Sequence, residues 1–320
     1  MEKQYKIVLD TLGSDKGAVC MARGAALALE KFPELHLVIV GDEQLLRAEL
    51  ADADGSRITY VHGPDEITNY DNPAMAVFTK PNSSLVKALT TLADDPECVG
   101  MINAGSTGAL LAGALRYLAT PDMQRPALAA IVPAEAGGFV CLVDTGATVD
   151  CTPAQLVHFA HLGKAFMHDM YGIENARIGL LSNGKEEGKG NKLVKETYAL
   201  LKADESLNFV GNLEGNNALS GDCDVLVADG FDGNQIIKCT EGTAKRLIKD
   251  IVKLSKKTGN ESLMAVVAHL MKLYDFNSLG GGIVLGVRKP VIKAHGAANE
   301  QTVVGTAEML LNLAKNKTII

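Results

Sequence analysis

Val99-Gly100-Met101-Ile102-Asn103-Ala104-Gly105-Ser106-Thr107-Gly108 runs from a short apolar segment into a glycine-rich turn, and residues 109–118 continue it as a stretch of helical length. A buried strand, a turn whose backbone can approach a ligand, and a helix opened by that turn form part of a βαβ unit. The same grammar recurs on both sides. Apolar runs at residues 5–9, 35–40 and 58–61 come before it, and runs at 128–132, 139–143, 178–181, 208–210 and 224–228 come after. Continuous hydrophobicity of this kind predicts strands buried on both faces of a mostly parallel sheet. Helices are predicted at residues 21–31, 45–51, 83–92, 152–171, 190–203, 241–254 and 302–314. The alternation predicts a doubly wound α/β fold with right-handed crossovers. It is read as one domain over residues 1–320, with a helical excursion at about residues 241–275.

Much of the chain's glycine, 32 residues, falls just after the predicted strands. Asp10-Thr11-Leu12-Gly13-Ser14-Asp15 follows the first strand, and Asp144-Thr145-Gly146-Ala147 follows a later one. Ser182-Asn183-Gly184-Lys185-Glu186-Glu187-Gly188-Lys189-Gly190 and Asp229-Gly230-Phe231-Asp232-Gly233-Asn234 follow two more. In an open parallel sheet, ligands bind beyond the carboxyl ends of the strands. Glycine lets backbone amides close on an anion, and helix N-termini favour negative charge. Several such loops on one edge point to a phosphate-bearing or anionic substrate.

Nucleotide chemistry is disfavoured. No G-x-G-x-x-G follows the first strand, and the run from Gly184 to Gly190 is one residue short of a P-loop and lacks its Ser/Thr. Ala104-Gly105-Ser106-Thr107-Gly108 comes close to a hydrolase nucleophile elbow, with Asp224 or Asp232 and then His295 in the right order. Ala104 replaces the first elbow glycine, however, and no oxyanion loop of the H-G-G-G type lies upstream.

A net charge of -7 leaves no basic footprint for nucleic acid. The six cysteines stand singly, without metal-ligand spacing, and read as reduced thiols of a cytoplasmic protein. No metal site and no cofactor motif is expected. Neither a signal peptide nor a run long enough to span a membrane is visible. Residues 253–274 open on Lys253, Lys256 and Lys257 and continue through Leu263, Met264, Val266, Val267, Leu270, Met271 and Leu273, one broad apolar face at helical spacing. Such a helix packs on a core or dimer interface, or lies against lipid or an acyl chain.

Ordered motifs along nearly the whole chain resemble the PlsX-type phosphate acyltransferases of bacterial phospholipid synthesis. Besides the loops already quoted they are Lys80-Pro81-Asn82-Ser83-Ser84, Arg125-Pro126-Ala127, Gly211-Asn212-Leu213-Glu214-Gly215 and Val291-Ile292-Lys293-Ala294-His295-Gly296. The resemblance implies an α/β/α sandwich related to the isocitrate dehydrogenase-like fold, usually dimeric. It also implies transfer of a fatty acyl group from acyl carrier protein to inorganic phosphate, and peripheral membrane contact through an amphipathic helical region. It places catalytic roles on Lys189 and Asn234. Phosphate or substrate contacts are expected from Asp10, Gly13, Ser83, Ser84, Gly105, Ser106, Thr107, Gly108, Asp144, Gly146, Gly184, Gly233, Lys293 and His295. Ser83 and Ser84 read equally well as helix caps, and His295 as a loop anchor.

The chain departs from the family pattern at its loops. Thr11, Leu12 and Ser14 alter the first loop, Ser106 replaces an asparagine, Ser182-Asn183-Gly184 stands for N-I-G, and Ala297-Ala298 replaces two serines. Asp232 stands where an apolar residue is common. These swaps keep two alternatives open. One is a short-chain phosphotransacylase making acetyl phosphate, coenzyme A-dependent or akin to glycine reductase component C. The other is a catalytically silent acyl-binding paralogue.

Overall fold

The structure, a computed structural model, describes residues 4–68, 70–120, 125–135, 137–274 and 281–316. In chain order its elements begin with β1 (Tyr5–Asp10), α1 (Gly17–Lys31), β2 (Leu35–Gly41), α2 (Glu43–Glu49) and β3 (Ile58–His62). Next come α3 (Pro73–Thr79), α4 (Ser84–Asp94), β4 (Cys98–Asn103), α5 (Thr107–Tyr117), β5 (Ala127–Pro133) and β6 (Phe139–Val143). They continue with α6 (Pro153–Tyr171), β7 (Arg177–Ser182), α7 (Lys192–Ala203), β8 (Asn208–Glu214) and β9 (Val225–Val227). The chain ends on α8 (Gly230–Thr258), α9 (Leu263–Leu273), β10 (Gly282–Leu285), β11 (Val291–Lys293) and α10 (Glu300–Lys315). This is a mixed α/β architecture with helices covering mostly parallel strands.

Two compact units divide the chain. The first holds Met1–Ala130, Leu162–Glu174 and Asn277–Ile320; the second holds Ile131–His161 and Asn175–Phe276. In the first unit the strand order is β3-β2-β1-β4-β11-β10-β5. From β3 to β11 every pairing is parallel, and β10 runs antiparallel to both β11 and β5. Ile7, Val8 and Leu9 are wholly buried, as a strand covered on both faces requires. Helix α10 packs on α1 and covers β1 and β4, while α4 packs on α5 and covers the same strands. A β-carbon on Gly24 would meet Val303 Cγ2 at 2.7 Å, so that glycine sets how closely α1 approaches α10. β1 has β2 on one side and β4 on the other. The winding therefore reverses between β1 and β4, where ligands of open sheets settle.

The second unit orders its strands β6-β9-β7-β8, all parallel. The carboxyl ends of β6, β9 and β7 thus lie side by side, and each carries one of the glycine loops.

Several expectations shift. Asp229 to Asn234 reads as a loop, yet Gly230 already opens α8, because the Asp229 carboxylate accepts from Asp232 N and caps the helix. Residues 253–274 are not one helix. Gly259 takes a left-handed conformation (φ 66°) that ends α8, and α9 starts afresh and packs back on it. Of the anticipated apolar face, Val267 is buried while Met264, Val266 and Met271 remain exposed. No helix among the described residues is long and apolar enough to cross a membrane.

Candidate functional site

In the first unit the loops gather around the ends of β1 and β4. Asp10 is buried with its oxygens turned to donors: Leu12 N at 3.2 Å on Oδ1, Asn103 Nδ2 at 2.8 Å on Oδ2, and the Ser84 hydroxyl. Burial nevertheless raises its pKa from 3.8 to about 6, against the lowering pull of those hydrogen bonds. Asn103 is buried too, and its Oδ1 accepts from Gly105 N at 3.1 Å. One asparagine therefore ties the first loop to the turn that opens α5. The turns also touch directly. Gly13 has φ 86°, and a β-carbon there would fall 2.4 Å from Gly105 Cα.

Ser106 heads α5 without a side-chain cap, so the leading N–H groups of Thr107 and Gly108 are left to a ligand or to solvent. Ser83 is buried and caps α4 through Val86 N at 3.4 Å. Lys293 is buried in β11 opposite Asn103, its ammonium donating to Ala294 O. Exposed His295 accepts from Ala297 N on Nδ1 at 3.1 Å, which places its ring hydrogen on Nε2 when neutral. The neighbouring Gly296 O accepts from Asp15 N at 2.8 Å and from Ser14 Oγ at 3.4 Å. Ser14 thus fastens the first loop to the last one.

In the second unit Asp144 is the framing group. Its carboxylate accepts from Gly146 N, Ala147 N and Thr148 N at 3.2, 3.0 and 2.7 Å, closing the loop after β6. A carboxylate so engaged shapes a loop; it repels an anion rather than binding it. Gly233 lets α8 start against this loop, since a β-carbon there would lie 1.9 Å from Asp144 O. Asn234 then reaches back, Nδ2 donating to Thr145 O at 3.1 Å. Its other amide hydrogen and its carbonyl oxygen have no partner among the described residues.

The loop after β7 carries Lys189. Its stem lies over Gly184, where a β-carbon would meet Lys189 Cγ at 2.7 Å. The ammonium is exposed and has no ion pair among the described residues. Asn212 Nδ2 holds this loop from below through Glu186 O at 3.0 Å, and Gly190 N donates to Asn183 Oδ1 at 2.9 Å. A cavity of about 410 Å³ opens beside it. No cluster of metal-ligating side chains occurs among the described residues.

A family model described as fatty acid synthesis protein matches residues 5–319. The phosphate acyltransferase of Clostridium beijerinckii is 40% identical over 303 residues, covering 92% of this chain and 90% of that one. The phosphate acyltransferase of Bacillus cereus is 36% identical over 320 residues, covering 98% and 96%. The chain belongs to this family of phosphate acyltransferases. In fold, a branched-chain phosphotransacylase from Enterococcus faecalis overlays with a TM-score of 0.63 at 17% identity, covering 97% of this chain and 99% of that one. A phosphotransacetylase from Streptococcus pyogenes does so with 0.63 at 15%, covering 99% and 96%.

As a phosphate acyltransferase the chain is an enzyme of acyl transfer, and its loop residues divide by what they touch. Asp10, Ser83, Ser84, Asp144 and Lys293 are buried and engaged with protein partners. Lys189 and the N-terminus of α5 face outward, and Asn234 keeps one free donor. Asn103 and Asn212 do more than their sequence positions announce. Asn103 ends the buried strand β4 and Asn212 lies within β8 in one of the quoted motifs, but the partners of both are set by tertiary contacts.

Proposed function

We propose that the chain transfers a fatty acyl group from acyl carrier protein to inorganic phosphate, giving an acyl phosphate for phospholipid synthesis. A phosphate oxygen bonds to the thioester carbonyl carbon, the C–S bond breaks, and the carrier sulfur leaves as a thiolate that takes up a proton. Phosphate is itself the nucleophile, so no covalent enzyme intermediate is needed. What remains is to hold phosphate near the carbonyl and to stabilise its developing negative charge.

Lys189 carries the reading. An exposed ammonium with no ion pair among the described residues, on a loop fixed by Asn212 and Asn183, is placed to meet an anion. The free amide hydrogen of Asn234 supplies a neutral donor. In the first unit, taken by itself, the uncapped start of α5 offers backbone donors to an anion.

The enzyme works in the cytoplasm as a homodimer and touches the membrane at its inner face through α8 and α9. Support for that contact comes from exposed Leu247, Leu254, Met264, Val266 and Met271 on helices that also carry Lys253, Lys256 and Lys257.

The test is acyl phosphate formation trapped with hydroxylamine, from palmitoyl-acyl carrier protein, acetyl-CoA and butyryl-CoA, with and without phosphate. Phosphate-dependent product from the long-chain carrier is expected, falling about 100-fold or more in Lys189→Ala and Asn234→Ala. Product from a short-chain donor alone replaces this reading with acetyl phosphate synthesis. No product from any donor replaces it with a silent acyl-binding protein.

A further inference from the structure

Three polar side chains of the second unit lack partners among the described residues and line one cavity. Ser182 Oγ, at the end of β7, is buried without a hydrogen bond. Asp232 and Gln235 lie three residues apart on the first turns of α8 and so share one face. Neither the Asp232 carboxylate nor the Gln235 amide has a hydrogen bond or ion pair among the described residues; only the backbone N–H of Asp232 is engaged, by the Asp229 cap. The apolar part of the same wall comes from Leu181, Val194 and Ile236. At about 410 Å³ the space has the size of a small-molecule site. Its lining residues Gly190 and Gln235 are the chain neighbours of Lys189 and Asn234, the two proposed catalytic residues.

The lining says what does not belong there. An alkyl chain filling the cavity would leave Ser182 Oγ unsatisfied and strip water from a carboxylate, both costly. Phosphate meets a like charge at Asp232. A chain of secondary amides joined by short hydrocarbon segments fits: its N–H groups donate to Asp232 and Ser182, its carbonyls accept from Gln235, and its methylene and methyl groups lie on Leu181, Val194 and Ile236.

We infer that this cavity binds the pantetheine arm of the thioester donor, with Asp232 and Ser182 selecting it through amide N–H groups. The inference rests on the acyl transfer proposed above and assigns one part of its donor. Acyl carrier protein and coenzyme A both present this arm, so it concerns what the two donors share.

The probe is S-methyl pantetheine, which cannot react, titrated calorimetrically without phosphate into wild type, Asp232→Asn, Asp232→Leu and Ser182→Ala. Melting temperature and circular dichroism are recorded for each. Binding is expected in wild type and weakened about 10-fold or more in Asp232→Leu and Ser182→Ala, less in Asp232→Asn. In turnover, KM for the thioester should rise with KM for phosphate unmoved. Equal affinity in all four folded proteins, or tighter use of octanoyl donors by Asp232→Leu with probe affinity unchanged, overturns the inference and gives the cavity to the acyl chain. Probe binding lost in the variants of an enzyme that turns nothing over would sink the catalytic reading and leave this one standing.

Discussion

Asp10 accepts hydrogen bonds from Asn103, Ser84 and Leu12, yet burial outweighs them and holds its pKa at about 6, above the ordinary 3.8. The native state therefore prefers the protonated acid. Its contribution to stability is complete below about pH 3.8 and is lost as pH rises through about 6, roughly 3 kcal/mol in all. Between about pH 5 and 7.5 some 1.4 kcal/mol of that should disappear. Urea unfolding of wild type and Asp10→Asn at those two pH values measures it: the wild type should lose that much relative to the variant. A constant difference would mean that Asp10 is already ionised without penalty. The sequence marks Asp10 at the end of a strand and Ser83 and Ser84 at the start of a helix, as separate candidates. Their meeting is not legible, because the donors on Asp10 come from far along the chain, Ser84 on one side and Asn103, 93 residues away, on the other. Thr11 is similar. As a departure from the family pattern it suggests altered phosphate contact, but its hydroxyl is spent on Val40 O at 2.8 Å.

Elements are most legible where an unbroken apolar run is followed within a few residues by a glycine turn, as at β1, β4, β6 and β7. They are least legible where pairing makes the element. β10 and β11 are only four and three residues long, and β11 exists because Val291 and Ile292 pair with Met101 and Ile102. No period can be read from three residues. Helix α3 starts at the Asn72 cap and runs seven residues, too short for a pattern. The two glycines of α8's first turn masked its start: Gly230 and Gly233 are there because Thr148 O and Asp144 O press against them, not because the chain bends. The same helix carries part of the proposed membrane contact. Leu254 and Met271 are exposed, so Leu254→Asp with Met271→Asp should leave unfolding free energy within about 0.5 kcal/mol of wild type. Sedimentation with phosphatidylglycerol vesicles should fall about 10-fold if α8 and α9 lie on lipid. Wild type that stays in the supernatant would remove the membrane from the account.

For the molecule as a whole, charge is distributed against its own sign. The chain carries -7, yet α8 holds seven basic residues against three acidic ones. Arg246 and Lys253 share Asp250, and Lys238 faces Glu241. Lys245, Lys249, Lys256 and Lys257 have no ion pair among the described residues. A row of unpaired lysines on an acidic protein raises the local concentration of an acidic partner while the rest of the surface turns it away. Acyl carrier protein, the proposed donor, is acidic; coenzyme A offers only its phosphates and docks no protein surface. Lys245→Glu with Lys249→Glu should therefore raise KM for palmitoyl-acyl carrier protein about 10-fold at low salt and change KM for palmitoyl-CoA far less. Salt gives the second axis. With a Debye length of about 10 Å at 0.1 M and about 3 Å at 1 M, adding salt should erase the gap between wild type and the double variant. Equal losses with both donors would place the two lysines at the common arm or the chemistry instead, and a gap that persists in high salt would mean that the substitutions act through folding rather than through the field.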